Sequence, residues 1–125
     1  MRVKVIDASA LAALLFDEPE ADDIVSLIAN TRLAAPNLIG FEVANVCVMK
    51  CRRNPSERLK LLSAFGCLAD FRVEQVEVDQ KAVSNLALET GLTAYDASYL
   101  WLANRLGASI VTLDKQLAKA AALSR

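Results

Sequence analysis

The sequence predicts an α/β fold, a three-layer α/β/α sandwich with a mostly parallel sheet. Short apolar segments rich in β-branched residues, such as RVKVID near the start and SIVTLD near the end, alternate with longer segments of helical periodicity. Strands separated by helices favour parallel pairing. Right-handed crossovers then place helices on both faces of the sheet.

In the first half of the chain, caps and prolines mark the ends of two strands and three helices. RVKVID is a strand that ends at Asp7, and Ser9 is the expected N-cap of the helix ALAALLF. A second helix begins after Pro19, and RLAAP is a short strand that ends at Pro36. Asn37 is the expected cap of the long helix NLIGFEVANVCVMKCRR.

The second half continues this alternation. Pro55 opens the helix SERLKLLSAFGCLAD, and RVEQVEV alternates apolar with polar residues, which predicts a half-exposed strand at a sheet edge. Asp79 caps the helix QKAVSNLALET and Gly91 ends it. A further helix, containing YDASYLWLA, runs to Gly107; SIVTLD is the last buried strand and KQLAKAAAL the closing helix.

Length and composition indicate one domain, residues 1–125. Hydrophobic residues make up 54% of the chain, with only four Gly and three Pro, which argues against disorder. No apolar run reaches the roughly 18 residues that a membrane-spanning helix needs. The start, MRVKVIDAS, has too short an apolar region for a signal peptide. We therefore expect a cytoplasmic protein with no membrane association.

Charge points to nucleic acid only locally. The net charge is −1, so no overall positive surplus favours RNA or DNA. The stretch KCRRNPSERLK, residues 50–60, carries five basic residues and one acid. It is either a solvated helix face with its loop or a track for phosphates.

Cysteine and histidine content narrows the chemistry. Cys47, Cys51 and Cys67 form no Cys-x-x-Cys pair, and without any histidine a zinc site lacks its usual ligands. Buried free thiols are therefore expected. The missing histidines also remove Ser-His and Cys-His nucleophiles, which leaves carboxylates as the chemical groups.

Four acids stand out by position. Asp7 and Asp114 close two strand candidates, while Glu42 and Asp96 are the only charged residues in two long uncharged helical windows. Ligands of parallel sheets bind beyond the carboxyl ends of the strands, where these acids would meet. Each acid also has a purely structural explanation: a cap for Asp7 and Asp114, an exposed ridge for Glu42 and a helix start for Asp96.

If the four acids converge, they need a counter-charge. Two like charges about 4 Å apart repel by up to about 4 kcal/mol at an effective dielectric near 20. Proton sharing relieves this repulsion, and so does a divalent cation, for which an all-oxygen site favours Mg²⁺ or Mn²⁺. Such carboxylate sites serve phosphoryl chemistry. Ser9, Thr112 and Asn45 are the neighbours placed to hydrogen bond a carboxylate or a metal-bound water.

Four motifs together resemble a known family. VIDASALAALL, FEVANV, TAYDASYLWLA and IVTLDKQL are similar to the PIN-domain family, and more narrowly to the VapC toxin ribonucleases of type II toxin–antitoxin modules. The resemblance covers essentially the whole chain in the right order. It implies a three-layer α/β/α fold and an acidic cluster of Asp7, Glu42, Asp96 and Asp114, with Asp7 and Asp96 the most dependable metal ligands.

The resemblance also implies an activity and partners. Family members are Mg²⁺- or Mn²⁺-dependent ribonucleases that cut single-stranded or looped RNA, form homodimers and are silenced by a cognate antitoxin, a small DNA-binding protein. In the mechanism that we expect, the acids hold the cation and an activated water attacks a phosphodiester. The RNA backbone is oriented by basic side chains, which are Lys50, Arg52, Arg53 and Lys115.

Other functions would use parts of the same pattern. A catalytically weak binding module would use the same acids to receive antitoxin arginines, and a housekeeping nuclease would share the whole pattern. A phosphoacceptor receiver domain or an Asp-x-Asp phosphatase fits poorly, because Asp7 is followed by Ala8 and Ser9 rather than by a second acid.

Overall fold

A four-stranded sheet organises the fold, in a computed structural model that describes residues 1–124. All neighbouring strands pair in parallel, and the strand order is β3-β2-β1-β4. The strands are β1 (Arg2–Ile6), β2 (Thr31–Pro36), β3 (Glu74–Val76) and β4 (Ser109–Val111).

Helices cover both faces of this sheet. The helices are α1 (Ala8–Leu15), α2 (Ala21–Ile28), α3 (Ile39–Arg53), α4 (Arg58–Phe65), α5 (Gln80–Thr90), α6 (Ala94–Leu106) and α7 (Lys115–Leu123). The connections from β1 to β2 and from β2 to β3, which contain α1–α4, run in one direction across the sheet. The connection from β3 to β4, which contains α5 and α6, runs in the opposite direction. Because crossovers are right-handed, α1–α4 lie on one face of the sheet and α5 and α6 on the other. Helix α1 packs on α2 and α3, whereas α6 packs on α5, α7 and the central strands. The predicted three-layer α/β/α sandwich is confirmed.

The core lies where the two central strands end. Val5 and Ile6 of β1 are fully buried, and β2 is buried from Leu33 to Pro36. Burying one such aliphatic side chain contributes about 1.5–3 kcal/mol. The residue that follows β1, Asp7, is consequently drawn into the apolar interior together with the strand.

The strand order creates a crevice beside Asp7. The chain leaves β1 for one face of the sheet through α1, and it leaves β4 for the other face through α7. The carboxyl ends of β1 and β4 are therefore a topological switch point, where α/β proteins bind their ligands. Asp7 and Asp114 follow these two strands.

Two predicted caps are wrong. Asp7, not Ser9, is the N-cap of α1, because its Oδ1 accepts the Ala10 N–H at 3.0 Å. Asn37 does not cap α3, because Leu38 occupies the N-cap position; the Asn37 N–H instead pairs with the Val76 carbonyl at 3.0 Å and extends the β2–β3 ladder. Helix α3 begins without a side-chain cap.

The segment after Pro55 is more broken than predicted. A 3₁₀ turn, Pro55–Glu57, precedes α4, and a second 3₁₀ turn, Leu68–Phe71, follows it. Arg72 then adopts a left-handed conformation with φ of 52°. No residue of α4 is fully buried, so packing does not enforce one long helix here.

The last strand is shorter and less buried than expected. Strand β4 ends at Val111, its only fully buried residue, and forms a sheet edge. Asp114 lies three residues beyond it and caps α7. The predicted edge strand β3, the Asp79 cap and the left-handed helix ends at Gly91 and Gly107 are confirmed.

The cysteines are free, as predicted, but only one is fully buried. Cys47 is buried, Cys51 is half-buried, and Cys67, two residues beyond α4, is exposed. Across the part of the chain that the structure describes, no helix combines the length and apolar character needed to cross a membrane.

Candidate active site

Asp7 is the centre of a hydrogen-bond network. Its Oδ1 accepts from Ser9 Oγ at 2.7 Å and from the Ala10 N–H at 3.0 Å, and its Oδ2 accepts from Thr112 Oγ1 at 2.5 Å. Asp7 is only 4% exposed. Three donors therefore hold this carboxylate in one orientation.

The two hydroxyls that hold Asp7 also hold the loop after β4. Ser9 Oγ accepts from the Leu113 N–H at 3.0 Å, and Thr112 Oγ1 accepts from the Asp114 N–H at 2.9 Å. Each hydroxyl thus donates one hydrogen bond to Asp7 and accepts one hydrogen bond from the backbone of the loop. Ser9 and Thr112 join the two sides of the crevice.

Glu42 is held from the opposite layer of the sandwich. It lies half-buried in the first turn of α3, and its Oε1 accepts from the Tyr99 hydroxyl of α6 at 2.6 Å. Burial, followed by the neighbouring Glu42 carboxylate, raises the pKa of Tyr99. The phenol therefore remains a proton donor at neutral pH.

Tyr99 is a residue that the sequence analysis missed. Its only available signal was the three-residue spacing from Asp96, which places both side chains on one face of a helix. That spacing does not reveal a partner 57 positions away on α3.

All four acids begin helices at the same edge of the sheet. Asp7 and Asp114 are the N-caps of α1 and α7, and Glu42 and Asp96 lie in the first turns of α3 and α6. Helix α6 starts at this edge because it ends just before the amino end of β4. Each helix start stabilises a carboxylate by about 0.3–1 kcal/mol. The structural explanations for Asp7, Asp96 and Asp114 therefore hold together with the clustering.

The carboxylates oppose one another's ionisation. Burial raises the pKa of Asp7 and the charge of Asp114 raises it further, while hydrogen bonds from Thr112, Ala10 and Ser9 act in the opposite direction.

The same pattern applies to the other two perturbed acids. Burial raises the pKa of Glu42, and the charges of Asp96 and Asp7 add to it. For Asp96, burial again comes first, followed by the charges of Asp114 and Asp7. The four carboxylates thus form one electrostatic cluster.

Within residues 1–124, no basic side chain neutralises this cluster. The two ion pairs there are Arg32 with Glu74 and Lys50 with Glu18. The negative charge must therefore be relieved from outside, by protons or by a bound cation.

The donor set fits a hard divalent cation held through few direct ligands. Among residues 1–124, no group of three Asp, Glu, Cys or His side chains is arranged to hold one metal ion. Several carboxylate oxygens are already engaged by Ser9, Thr112 and Tyr99. Mg²⁺ suits such a site, because it keeps several waters and uses only one or two carboxylates.

Two predicted residues lie apart from the cluster. Asn45 is exposed, and its amide contacts Met49 Sδ at 3.9 Å instead of Glu42. Lys50 is half-buried and ion-paired with Glu18. Its ammonium group also stands 5.7 Å from the centre of the Phe16 ring. An RNA phosphate would therefore have to compete with Glu18 for Lys50, and the predicted RNA contact of Lys50 stays a prediction.

The other predicted basic residues are exposed. Arg52 and Arg53 end α3, where positive charge complements the helix dipole, roughly 15 Å along the axis from Glu42. Lys115 follows Asp114 directly and is the nearest of them in sequence to the cluster.

The chain belongs to the PIN domain family, whose model matches residues 4–123. Curated relatives include Ribonuclease VapC3 of Pyrobaculum aerophilum, 32% identical over 120 residues that cover 92% of each chain. Ribonuclease VapC9 of Mycobacterium tuberculosis is 34% identical over 118 residues, covering 90% of this chain and 87% of that one.

Two further comparisons concern Pyrobaculum aerophilum. A protein named Exonuclease VapC9 is 32% identical over 120 residues, covering 90% of this chain and 81% of its own. The crystal structure of PAE2754 is similar with a TM-score of 0.76 and 27% identity, covering 96% of this chain and 84% of that one. The predicted family and fold are confirmed.

We expect the substitution Asp96→Asn to stabilise the fold at pH 7. It removes one repelling charge, and because Asp96 is partly exposed we expect a gain below about 1 kcal/mol. The folded-state pKa lies above the ordinary value of 3.8, so the gain shrinks as the pH falls through it and is gone below 3.8. Urea denaturation at pH 7 and at a pH below 3.8 measures the gain in the free energy of unfolding.

The exposed Asp70, outside the cluster, gives the matched control Asp70→Asn, for which no gain is expected. A loss of stability in Asp96→Asn at pH 7 would show that burial and repulsion together do not outweigh the favourable contacts of the Asp96 carboxylate.

We expect Thr112→Val to destabilise the fold by about 1–3 kcal/mol. The substitution keeps the shape but leaves the Asp7 carboxylate and the Asp114 N–H each without one partner. Thr112→Ser retains the hydroxyl and should stay within about 1 kcal/mol of the original chain. Equal urea midpoints for the Val and Ser variants would mean that the hydroxyl is not the important group.

Proposed function

We propose that this chain is a divalent-metal-dependent endoribonuclease, the toxin of a toxin–antitoxin pair. The observation that carries the proposal is the acidic cluster, four carboxylates at the strand-order switch point of a PIN domain without an internal counter-charge. The relatives named as ribonucleases support RNA as the substrate.

Asp7 and Asp96 would hold Mg²⁺ or Mn²⁺, directly or through water, and Glu42 and Asp114 complete the acidic ring. When bound, such a cation lowers the pKa of a coordinated water and offsets charge on the phosphate. The chain's own groups do the rest. Ser9 and Thr112 fix Asp7, which keeps the acidic site in one geometry.

Of the two outer acids, Glu42 and Asp114, we assign the role of proton acceptor to Glu42. Tyr99 engages only its Oε1, so Oε2 is left to take the proton of an attacking water. Tyr99 acts as a positioning residue, because its hydroxyl orients the carboxylate without transferring its own proton.

An RNA strand has a path away from the acids. A groove of about 360 Å³ between α1 and α3 runs from Ser9 to Arg53, and its charged lining also includes Lys50, Glu18 and Glu20. Arg53 would contact the phosphate backbone there, Arg52 would do so outside the groove at the end of α3, and Lys115 beside the acids.

Endonucleolytic cutting is part of the proposal, although one relative is named an exonuclease. Asp96 and Asp114 are half-exposed, so the acidic site opens at the surface. A strand can therefore lie across the cluster without presenting an end.

Two protein partners are also proposed. An antitoxin would place an arginine against the acids, since a guanidinium pairs well with carboxylates. A second copy would pack on α4, which has no fully buried residue and exposes Leu59 and Leu62. The cytoplasmic location remains a prediction.

The decisive experiment is cleavage of a circular single-stranded RNA with Mg²⁺ or Mn²⁺. An endonuclease opens the circle and an exonuclease does not. Asp7→Asn and Asp96→Asn should each lower the cleavage rate about 100-fold or more, because both act at the reacting centre. Asp70→Asn, in an exposed 3₁₀ turn, should cut normally. The same background rate of cleavage in the original chain and in all three variants would favour the binding module over the enzyme.

Metal binding has its own readout in thermal unfolding. We expect Mn²⁺ to raise the Tm of the original chain, with a stabilisation of about 2.7 kcal/mol at one hundred times the dissociation constant. The rise should be much smaller for Asp7→Asn and unchanged for Asp70→Asn. The same rise in all three proteins would place the ion elsewhere.

A further inference from the structure

Two exposed aromatic residues each directly precede an acid of the cluster in the sequence. The chain has four Phe, two Tyr and one Trp. Within residues 1–124 only Phe41 and Tyr95 are exposed, at 85% and 64% of their surface. Phe41 directly precedes Glu42, and Tyr95 directly precedes Asp96.

The two aromatic residues belong to helix starts that meet at the cluster. Phe41 lies in the first turn of α3 and Tyr95 in the first turn of α6. The hydrogen bond from Tyr99 to Glu42 ties these two helices together at that end. Single exposed apolar residues need no explanation. Here, however, each of the two exposed aromatic residues is the immediate sequence neighbour of a cluster acid.

The negative charge of the cluster opposes RNA binding, and aromatic side chains can bind RNA without opposite charge. A phosphodiester that approaches four carboxylates is repelled, and the net charge of −1 gives no general attraction. Stacking on an aromatic ring does not depend on opposite charge. It contributes about 1–3 kcal/mol for each base and tolerates any sequence, because every base has a π face.

We infer that Phe41 and Tyr95 form a stacking site for unpaired RNA bases next to the phosphate presented to the acidic cluster. The inference rests on the proposed function and adds the feature of the substrate that is recognised. A base that stacks on a side chain must first leave its own helix. The site therefore selects unpaired nucleotides and excludes paired ones.

The test measures RNA affinity separately from cleavage. A short single-stranded RNA containing 2-aminopurine is titrated into chains that carry Asp7→Asn, and Kd is read from its fluorescence. Adding Phe41→Ala or Tyr95→Ala should weaken binding about 5- to 150-fold. Phe41→Trp and Tyr95→Phe should retain it. Leu88→Ala is the matched control, because Leu88 is 85% exposed on α5, outside the cluster.

Salt and pairing separate stacking from charge. Loss of a stacking ring should lower affinity equally at every salt concentration, with an unchanged slope of log K against log salt. A fully paired RNA duplex should bind all variants alike. A changed slope, or an equal loss on the duplex, would overturn the inference.

The remaining outcomes also decide. If the original chain cuts circular RNA but both alanine variants bind like Leu88→Ala, the stacking site is wrong and the ribonuclease stands. If the original chain neither cuts nor binds RNA, both proposals fail. If Phe41→Ala leaves RNA affinity intact but dissociates a dimer in sedimentation velocity, Phe41 belongs to a protein interface and the inference is wrong.

Discussion

The convergence of four helix starts on one edge of the sheet is the constraint on which the rest of this structure depends. The strand order β3-β2-β1-β4 brings together the starts of α1, α3, α6 and α7, and each supplies one carboxylate. The helix dipoles reduce the cost of these charges without removing it. The raised pKa values of Asp7, Glu42 and Asp96 show that burial and mutual repulsion exceed the compensation from local hydrogen bonds. The fold therefore carries a local destabilisation that an external cation would relieve.

Neutral hydroxyls keep this repulsive cluster in a fixed geometry. Ser9 of α1 and Thr112 of the loop after β4 hold Asp7, and Tyr99 holds Glu42 from the opposite helical layer. A lysine or arginine in these places would have neutralised the acids and competed with a bound cation. Hydroxyls orient a carboxylate and leave its charge available. Among the described residues, the cluster thus keeps a fixed geometry while its negative charge stays unpaired.

The sequence reveals the acids and two of their hydrogen-bond donors, Ser9 and Thr112, but not Tyr99. Glu42 and Asp96 were recognisable because each is the only charge in a long apolar window, and Asp7 because it follows a buried strand. Capping and clustering looked like alternatives in the sequence, yet a helix start at the edge of a parallel sheet satisfies both. The Tyr99–Glu42 bond and the Lys50–Glu18 pair were out of reach, since they join residues 57 and 32 positions apart. Strand β4 was overestimated because the Thr112 side chain draws the loop towards Asp7, which no propensity expresses.

A site without an internal counter-charge does not discriminate between sources of positive charge. On the proposed function, a divalent cation would occupy the cluster in the active protein, and an antitoxin guanidinium would compete for the same oxygens in the silenced one. The two states would then exclude each other through the same electrostatics, without a second regulatory site. Exposed aromatic residues beside the acids fit this arrangement, because stacking holds a base whether the neighbouring charge is neutralised or not. Substrate recognition and charge compensation can therefore be separate properties of neighbouring side chains: Phe41 beside Glu42, and Tyr95 beside Asp96.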